Sequence, residues 1–265
     1  MRRALPLLLM LAAIAAGCSQ GRSAADAAAT ISDDNIRTIH ANMMNAMGGF
    51  DGWDDARYFE FTFGVERDGQ RGGGWAHRWD RWNGDYRLSG TRNGEDLVVL
   101  MNVNDRSSTG RAWLAGQPVA GERLDSLLNF AYGRWVNDSY WLIMPYKWTD
   151  PGVRLSYAGP RTDDAGRTWE IIHLAFDEVG LTPQNEYDAW IDPTTGLMER
   201  WSHFRTGDAE PAIYDWADWQ QFGPIRLATR KPSIAGNAAI VFDNVRVDTR
   251  VPRDAFAAPD GSGTP

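Results

Sequence analysis

The chain has 265 residues and a formal charge of −8, from 27 lysines and arginines against 35 aspartates and glutamates. Such an excess of carboxylates repels phosphate backbones, which argues against a nucleic-acid partner and against electrostatic docking onto anionic lipid. A single cysteine excludes an intrachain disulfide, so stability must come from a core to which 13 Trp and 10 Phe contribute a large aromatic area.

The N-terminus has the order of a bacterial export signal, with Arg2 and Arg3 ahead of an apolar run over residues 4–16. The run is too short to span a bilayer comfortably as a helix. Small residues then lead to Cys18, and this stretch resembles the lipobox of bacterial lipoproteins. The resemblance implies that residues 1–17 are a signal peptide and that Cys18 is acylated; the alternative is an ordinary cleaved signal with a leftover cysteine.

The residue after the cysteine bears on location. Ser19 is not the aspartate associated with retention in the inner membrane of enteric bacteria. We therefore expect a lipid-anchored protein of the outer membrane that faces the periplasm, with the inner membrane as the alternative.

A tether and a helix are predicted next. Residues 18–31 are small and polar without periodicity, which predicts a flexible tether. Ser32 is then expected to cap a helix with an acidic first turn, which ends at a Gly-Gly pair. Its apolar residues fall at helical spacing on one face: Ile36, Ile39, Met43, Met44 and Met47.

The period then changes to two, which predicts half-buried antiparallel strands, with Asn-Gly pairs marking hairpins. The predicted strands are residues 57–65, 74–82, 83–90, 96–103, 110–116, 140–146, 153–159, 167–177, 186–192, 196–205, 212–222, 225–231 and 238–248. A second helix is predicted over residues 122–136, with a stripe of Leu, Ala, Tyr and Trp. The strand at 167–177 has apolar residues on both faces and should be covered twice.

A single sheet of about a dozen strands must curl to avoid long exposed edges, and helices can then close its inner face. The predicted fold is mainly β (α+β): a curved antiparallel sheet forming an incomplete β-barrel, with two or more helices as lid or plug. One domain is expected over residues 32–259, followed by a disordered tail at 260–265.

Five stretches resemble known proteins. Residues 186–201 (EYDAWIDPTTGLMERW) and 242–259 (FDNVRVDTRVPRDAFAAP) resemble the paired strands and the closing strand of lipoprotein carriers and receptors of the LolA and LolB type. Residues 137–157, with HANMMNAMGG and RYFEFTF, resemble an uncharacterised bacterial lipoprotein family of the same fold. The resemblance implies an incomplete barrel whose apolar inner face is covered by helices, with room for acyl chains between sheet and lid.

If the concave side is partly empty, it offers an apolar site for a lipid or an acylated ligand. Unbranched methionines on the first helix would suit an adaptable lid, although three methionines on one face are also typical of a plain core. The candidate ligand-binding residues are Met43, Met44, Met47, Phe61, Phe63, Trp75, Trp79, Leu128, Trp141, Met144, Trp169 and Trp190.

A second aromatic group surrounds a turn. Pro145 indicates an edge strand because it cannot donate to the ladder, and Asp150-Pro151-Gly152 predicts a tight turn. Tyr140, Trp141, Tyr146 and Trp148 crowd around this turn. They form either the rim of a cavity mouth or a sheet edge sealed by aromatic side chains.

Catalytic signatures are absent from the sequence, which has no Gly-x-Ser-x-Gly elbow, Walker loop, His-Glu-x-x-His helix or Cys-x-x-Cys pair. His40, His77, His173 and His203 lack short metal-ligand spacing, although separated strands could still bring the last three together. We expect no metal, no cofactor and no enzymatic activity.

Two rivals to a lipid-binding function stay open. A membrane-tethered scaffold with a filled interior would work through an envelope protein partner. A glycan hydrolase would use carboxylates beside aromatic rings, because such sites divide acid and nucleophile roles between two carboxyls. The carboxylates in question are Asp188, Asp192, Asp215 and Asp218, near Tyr187, Trp190, Tyr214, Trp216 and Trp219.

Overall fold

A computed structural model describes residues 23–105, 110–177 and 181–259. The predicted signal peptide, Cys18 and the tail at 260–265 lie outside the described residues. No helix within the described ranges has the length and apolar character needed to cross a membrane.

The helices are α1 (Ala24–Ala28), α2 (Asp34–Ala46), α3 (Gly49–Asp55) and α4 (Gly121–Ile143), and a 3₁₀ helix (Met144–Lys147) follows α4. The strands before α4 are β1 (Tyr58–Arg67), β2 (Gln70–Arg71), β3 (Trp75–Asp80), β4 (Asp85–Arg92), β5 (Glu95–Asn102), β6 (Arg111–Leu114) and β7 (Gln117–Val119). Those after it are β8 (Val153–Thr162), β9 (Thr168–Phe176), β10 (Glu186–Ile191), β11 (Met198–Phe204), β12 (Ala212–Asp215), β13 (Ala217–Phe222), β14 (Ile225–Pro232) and β15 (Ala238–Asp248).

The strands form two antiparallel sheets rather than the single sheet that the sequence predicts. The 10-stranded sheet has the order β13-β14-β15-β1-β3-β4-β5-β6-β7, with β2 beside β1, and the 5-stranded sheet has the order β12-β11-β10-β9-β8. The predicted strand at 212–222 breaks at the buried Trp216, where the chain passes from one sheet to the other. An isolated bridge between Tyr214 and Ser233 joins the two sheets at this point.

The predicted fold class is confirmed, because the larger sheet stays open between its edge strands β13 and β7 and helices cover its inner face. One continuous apolar core joins α2, α4 and the inner faces of both sheets. α4 contacts β5, β6 and β14 of the larger sheet, and its C-terminal half faces the smaller sheet through Tyr140. α4 is therefore the plug between the two sheets.

α4 runs well past residue 136, so the prediction of a strand at 140–146 is wrong. The buried positions Leu127, Ala131, Asp138 and Leu142 share one helical face, but the polar Asp138 hid this periodicity in the sequence. Pro145 lies in the first turn of the 3₁₀ helix, where its missing N–H group removes no helical hydrogen bond.

Two corrections concern the N-terminal helices. Asp33, not Ser32, caps α2, because its carboxylate accepts hydrogen bonds from the N–H groups of Asn35 and Ile36. In the described part of the predicted tether, α1 packs against α3, and the Ala24 N–H group lies 3.1 Å from both carboxylate oxygens of Asp54. An alanine-rich stretch with a serine cap has the propensity for such a helix.

The end of α2 depends on a glycine. Gly48 has a φ of +118°, and a Cβ atom added there would lie 2.5 Å from the carbonyl oxygen of Pro224. Its neighbour Gly49 has a φ of +83°, but an added Cβ would meet nothing within 4 Å. At Gly48 a side chain would therefore meet both an unfavourable φ and a steric clash, whereas at Gly49 it would meet only the unfavourable φ.

We expect Gly48→Ala to lower the free energy of unfolding by more than about 1 kcal/mol, because it adds a clash with backbone to the cost of a positive φ. Gly49→Ala adds only the conformational cost and should be the milder change. Urea denaturation of both variants measures the difference. Equal losses would contradict the close approach of Pro224 to Gly48.

Candidate functional site

A cavity of about 520 Å³ lies between the C-terminal half of α4 and the inner face of the smaller sheet. Its volume falls within the range of about 300–1,000 Å³ typical of small-molecule sites. The lining residues come from α4, the 3₁₀ helix and its following turn, β3, β8, β9, β10, β11, the loop before β10 and the residue after β11. Eight of the 20 lining residues are Trp, Tyr or Phe: Trp79, Tyr132, Trp135, Tyr140, Trp141, Phe176, Tyr187 and Trp201.

Trp201 of β11 lies at the centre of this wall. Its ring centroid is 4.4 Å from that of Trp141, 4.6 Å from that of Tyr187 and 6.0 Å from that of Tyr140. These distances are typical of attractive edge and tilted ring contacts, so contacts among the rings themselves stabilise this part of the wall.

The opposite side of the cavity joins α4 to the larger sheet. The rings of Trp79 and Trp135 meet edge to face at 5.5 Å, and Tyr132 lies 5.5 Å from Trp135. Among the described residues, the indole N–H groups of Trp79, Trp135 and Trp201 have no hydrogen-bond acceptor. These nitrogen atoms are themselves buried, so the indoles present apolar ring surface to the cavity.

One end of the cavity carries polar groups. The side-chain amide nitrogen of Asn185 lies 3.1 Å from Nε2 of His203, which accepts when the amide donates. Burial lowers the pKa of His203 to about 4, and the charge of Arg205 acts in the same direction. Burial also raises the pKa of Tyr187, against the effect of hydrogen bonding to Asn185 and Thr182. At neutral pH this end of the cavity is uncharged.

Charged side chains lie at the rim. Lys147 pairs with Asp150, and Nε of Arg205 donates to Asp208 over 2.8 Å. Leu181, beside them in the lining, is 55% exposed. The rim is thus polar and electrically balanced, with one apolar side chain open to solvent.

Of the 12 candidate ligand-binding residues, Trp79 and Trp141 line the cavity. Met43, Met44, Met47 and Met144 are fully packed in the main core, as are Phe61 and Phe63. Trp75 and Leu128 pack against that core from partly exposed positions. In the second predicted aromatic group, Tyr140 and Trp141 line the cavity, whereas Tyr146 and Trp148 belong to the core.

Trp169 and Trp190 lie on the other face of the smaller sheet, in a separate cluster with Ile171. Arginine side chains cover this face: Arg167 lies 3.9 Å from the ring centroid of Trp169, and Arg161 lies 4.9 Å from that of Trp190. β9 is covered twice, as predicted, with the main core on one side and cation–π stacking on the other.

The carboxylates considered for glycan hydrolysis have other partners. Asp188 contacts His173 and Arg161, Asp192 pairs with Arg167, and Asp215 pairs with Arg200. These three lie on the smaller sheet or directly after β10, away from the cavity lining, and Asp218 belongs to β13 of the larger sheet. The structure does not bring them together in a cleft.

The histidines are also separated. His77 is buried on β3 beside Asp138, His173 pairs with Asp188 on the arginine-covered face, and His203 lies in the cavity. Within the described ranges, no three His, Cys, Asp or Glu side chains form a group able to hold a metal ion.

A buried polar cluster lies next to the cavity and was not predicted from the sequence. Tyr86 and Nδ1 of His77 lie 2.7 Å apart, Nε2 of His77 lies 3.0 Å from Asp138, and Arg134 lies 2.6 Å from the same carboxylate. Burial is the main cause of a lowered pKa at His77, and Asp138 opposes it. The cluster fixes α4 to the larger sheet at the turn that also lines the cavity.

No protein-family model matches the chain, and no curated protein matches it significantly. Similar solved structures include a DUF1329 family protein from Desulfovibrio piger, at 15% identity and a TM-score of 0.46 over 84% of this chain and 98% of that one. A LolA superfamily protein from Nitrosomonas europaea is 10% identical with a TM-score of 0.49, over 84% of this chain and 97% of that one.

A third similar structure, described as an outer membrane lipoprotein-sorting domain from Vibrio parahaemolyticus, is 10% identical with a TM-score of 0.42, over 77% of this chain and 90% of that one. The neighbours include the LolA type that the sequence motifs resemble. At these identities and scores the likeness concerns the arrangement of strands and helices, and says nothing about ligand or activity.

Proposed function

We propose that this protein binds a lipid or another hydrophobic ligand in the aromatic cavity and has no catalytic role. The observation that carries the proposal is the cavity itself, which leaves part of the space between α4 and the smaller sheet unfilled. Binding would draw on the transfer of hydrocarbon out of water, worth about 25 cal/mol per Å² of apolar surface covered. Few directional contacts are needed for this, so selectivity for chain type would be broad.

The location belongs to the same proposal. Acylation of Cys18 would hold the domain at the outer membrane, on its periplasmic side, where lipids and acylated proteins are within reach. The lipobox-like residues before Cys18 support this placement. The rival scaffold function has less support, because a scaffold that acts through a filled interior needs no such cavity. The rival hydrolase has less support because Asp188, Asp192 and Asp215 are engaged by arginine side chains.

Photo-crosslinking in cells tests this proposal with the full chain. Cells expressing the protein are supplied with a fatty acid that carries a diazirine and an alkyne and that they incorporate into their lipids. After irradiation, cross-linked peptides are identified by mass spectrometry. We expect light-dependent labels on peptides that contain residues 132–141 and 181–205, distinct from any light-independent acyl group at Cys18.

Variants that fill the cavity supply the control. Val136→Trp places an indole in the lining from α4, and Thr182→Trp does so from the loop before β10. Both should remove the cavity labels, whereas Ser126→Trp, at an exposed position of α4 outside the lining, should keep them. Circular dichroism confirms that each variant is folded. Labels that are absent from the cavity peptides in the unmodified chain, or that persist equally in all three variants, would refute the proposal.

A further inference from the structure

The polar groups around the cavity fall into two zones. Asn185 and Tyr187, 6% and 7% exposed, form with His203 an uncharged inner end. The charged side chains lie at the rim, and each lining cation, Lys147 or Arg205, already has a carboxylate partner. This separation bears on which head group the cavity accepts.

An ionised head group meets an unfavourable environment in the inner zone. Moving a charge from water into such a site has a desolvation cost that only a close counter-ion offsets. The site itself shows this preference, since burial keeps His203 neutral at physiological pH. At the rim, an anionic head would have to compete with Asp150 for Lys147 and with Asp208 for Arg205.

An uncharged head group with oxygen atoms meets suitable partners. The Asn185 amide presents both donor and acceptor capacity, and the neutral His203 ring keeps one N–H group when its Nε2 accepts from Asn185. Ester carbonyl and hydroxyl oxygens would pair with the Asn185 amide and the His203 ring without bringing a charge into the cavity.

Size restricts the ligand further. A volume of about 520 Å³ has room inside the cavity for one small molecule or a single acyl chain. We propose that the cavity binds a single-chain lipid with an uncharged, oxygen-bearing head, such as a monoacylglycerol, whose chain lies on the aromatic wall and whose head lies at Asn185 and His203. This inference rests on the proposed lipid-binding function.

A competition experiment on isolated membranes that contain the full chain tests it. A monoacylglycerol carrying a diazirine and an alkyne is cross-linked to the protein, and unlabelled monolauroylglycerol or laurate is added as competitor. The pH is mildly alkaline so that the carboxylate is ionised, and membrane-bound competitor is quantified by mass spectrometry. We expect laurate to need a roughly tenfold higher bound concentration for equal competition, which corresponds to about 1.4 kcal/mol.

One variant in the inner zone and one outside the cavity show where the preference arises. Asn185→Leu keeps the volume but removes the amide, and should reduce the preference for monolauroylglycerol. Arg123→Gln removes an arginine at an exposed position of α4 outside the cavity lining, and should leave the preference unchanged. An undiminished preference in Asn185→Leu, or an equal reduction in both variants, would overturn the assignment of the head-group site.

The outcomes separate the two proposals. If laurate competes as well as monolauroylglycerol or better, or if a fatty-acid probe labels the cavity peptides and the monoacylglycerol probe does not, the head-group inference is refuted and lipid binding stands. If neither probe labels the cavity peptides, the lipid-binding proposal fails, and the inference fails with it.

Discussion

Asp138→Ala is expected to lower the free energy of unfolding by about 3–5 kcal/mol, the typical cost of removing one partner from a buried ion pair. The Asp138 carboxylate is 0% exposed and lies 2.6 Å from Nη2 of Arg134, 3.0 Å from Nε2 of His77 and 2.8 Å from the amide nitrogen of Asn137. Alanine would leave the fully buried His77 ring without this partner, and would leave the guanidinium of Arg134, a quarter exposed, without its carboxylate. Urea denaturation followed by tryptophan fluorescence measures the loss.

The reason for so large an effect is the environment of Arg134. Its guanidinium lies 5.0 Å from the ring centroid of Phe63 and 6.0 Å from that of Trp75, so aromatic faces surround the charge that Asp138 balances. Asp138→Asn keeps the shape and part of the hydrogen bonding, and should cost less than alanine. Asp125→Ala, at an exposed position of the same helix, should change stability by no more than about 0.5 kcal/mol. A similar cost for Asp138→Ala and Asp125→Ala would mean that the cluster does not fix α4.

The same cluster explains why the full length of α4 could not be predicted from the sequence. Alternating residues in β1 and β3, and hairpin turns at Asn-Gly pairs, were sufficient to place most strands, because period and turn chemistry are local properties. The continuation of α4 beyond residue 136 could not be predicted from these local properties. Asp138 occupies a core-facing helical position, and its acceptability depends on Arg134 and on His77, which is 61 residues away in the chain and adjacent only in the folded protein.

The division of the strands into two sheets has a similar cause. The sequence around Trp216 alternates on both sides, so nothing local indicates that β12 and β13 pair with different partners. In β9 and β10, the sequence does not indicate which side chains face the core. Both strands have apolar residues on both faces, so the alternation that includes Trp169 and Trp190 fits either face. In the structure both tryptophans lie on the arginine-covered face.

Of the candidate ligand-binding residues, Trp79 and Trp141 lie in the cavity lining. Trp141 belongs to α4 and not to the strand expected at 140–146, so alternation along a strand does not account for its position. Trp201, the centre of the wall, was missed because it follows a register shift opposite Trp190 and Ile191, and such a shift breaks the alternation used to assign faces. Asn185 lies in the loop before β10 and His203 lies in β11, and the two side chains meet only because β10 pairs with β11.

A second large effect is expected in the opposite direction, at Lys231 of β14. Its side chain is completely buried, and burial lowers its pKa well below the ordinary value. Nζ donates to the carbonyl oxygen of Ala228 and lies 4.5 Å from the ring centroid of Trp216 and 4.3 Å from that of Phe242. Among the described residues no charged group contributes to this shift in pKa, and Lys231 differs in this from Lys147, which pairs with Asp150 at the rim of the cavity.

Lys231→Met should therefore raise the free energy of unfolding by about 1–3 kcal/mol at neutral pH, the typical cost of burying a polar group, because a chain of similar length fills the same space without the desolvated amine. The sign of the pH dependence follows from the lowered pKa. The unfolded state holds the proton up to its ordinary pKa and the folded state releases it earlier, so the unmodified chain gains stability as pH rises between the two values.

The advantage of Lys231→Met should accordingly shrink as the pH approaches the ordinary pKa of lysine, and paired urea titrations at neutral and alkaline pH measure this change. Lys147→Met is the matched control, since Lys147 is partly exposed and its replacement should change the free energy of unfolding by no more than about 1 kcal/mol. If Lys231→Met destabilises the protein instead, the contact of an ammonium group with the rings of Trp216 and Phe242 outweighs its desolvation. In that case Lys231 is a structural cation that holds β14 to β15 in the larger sheet.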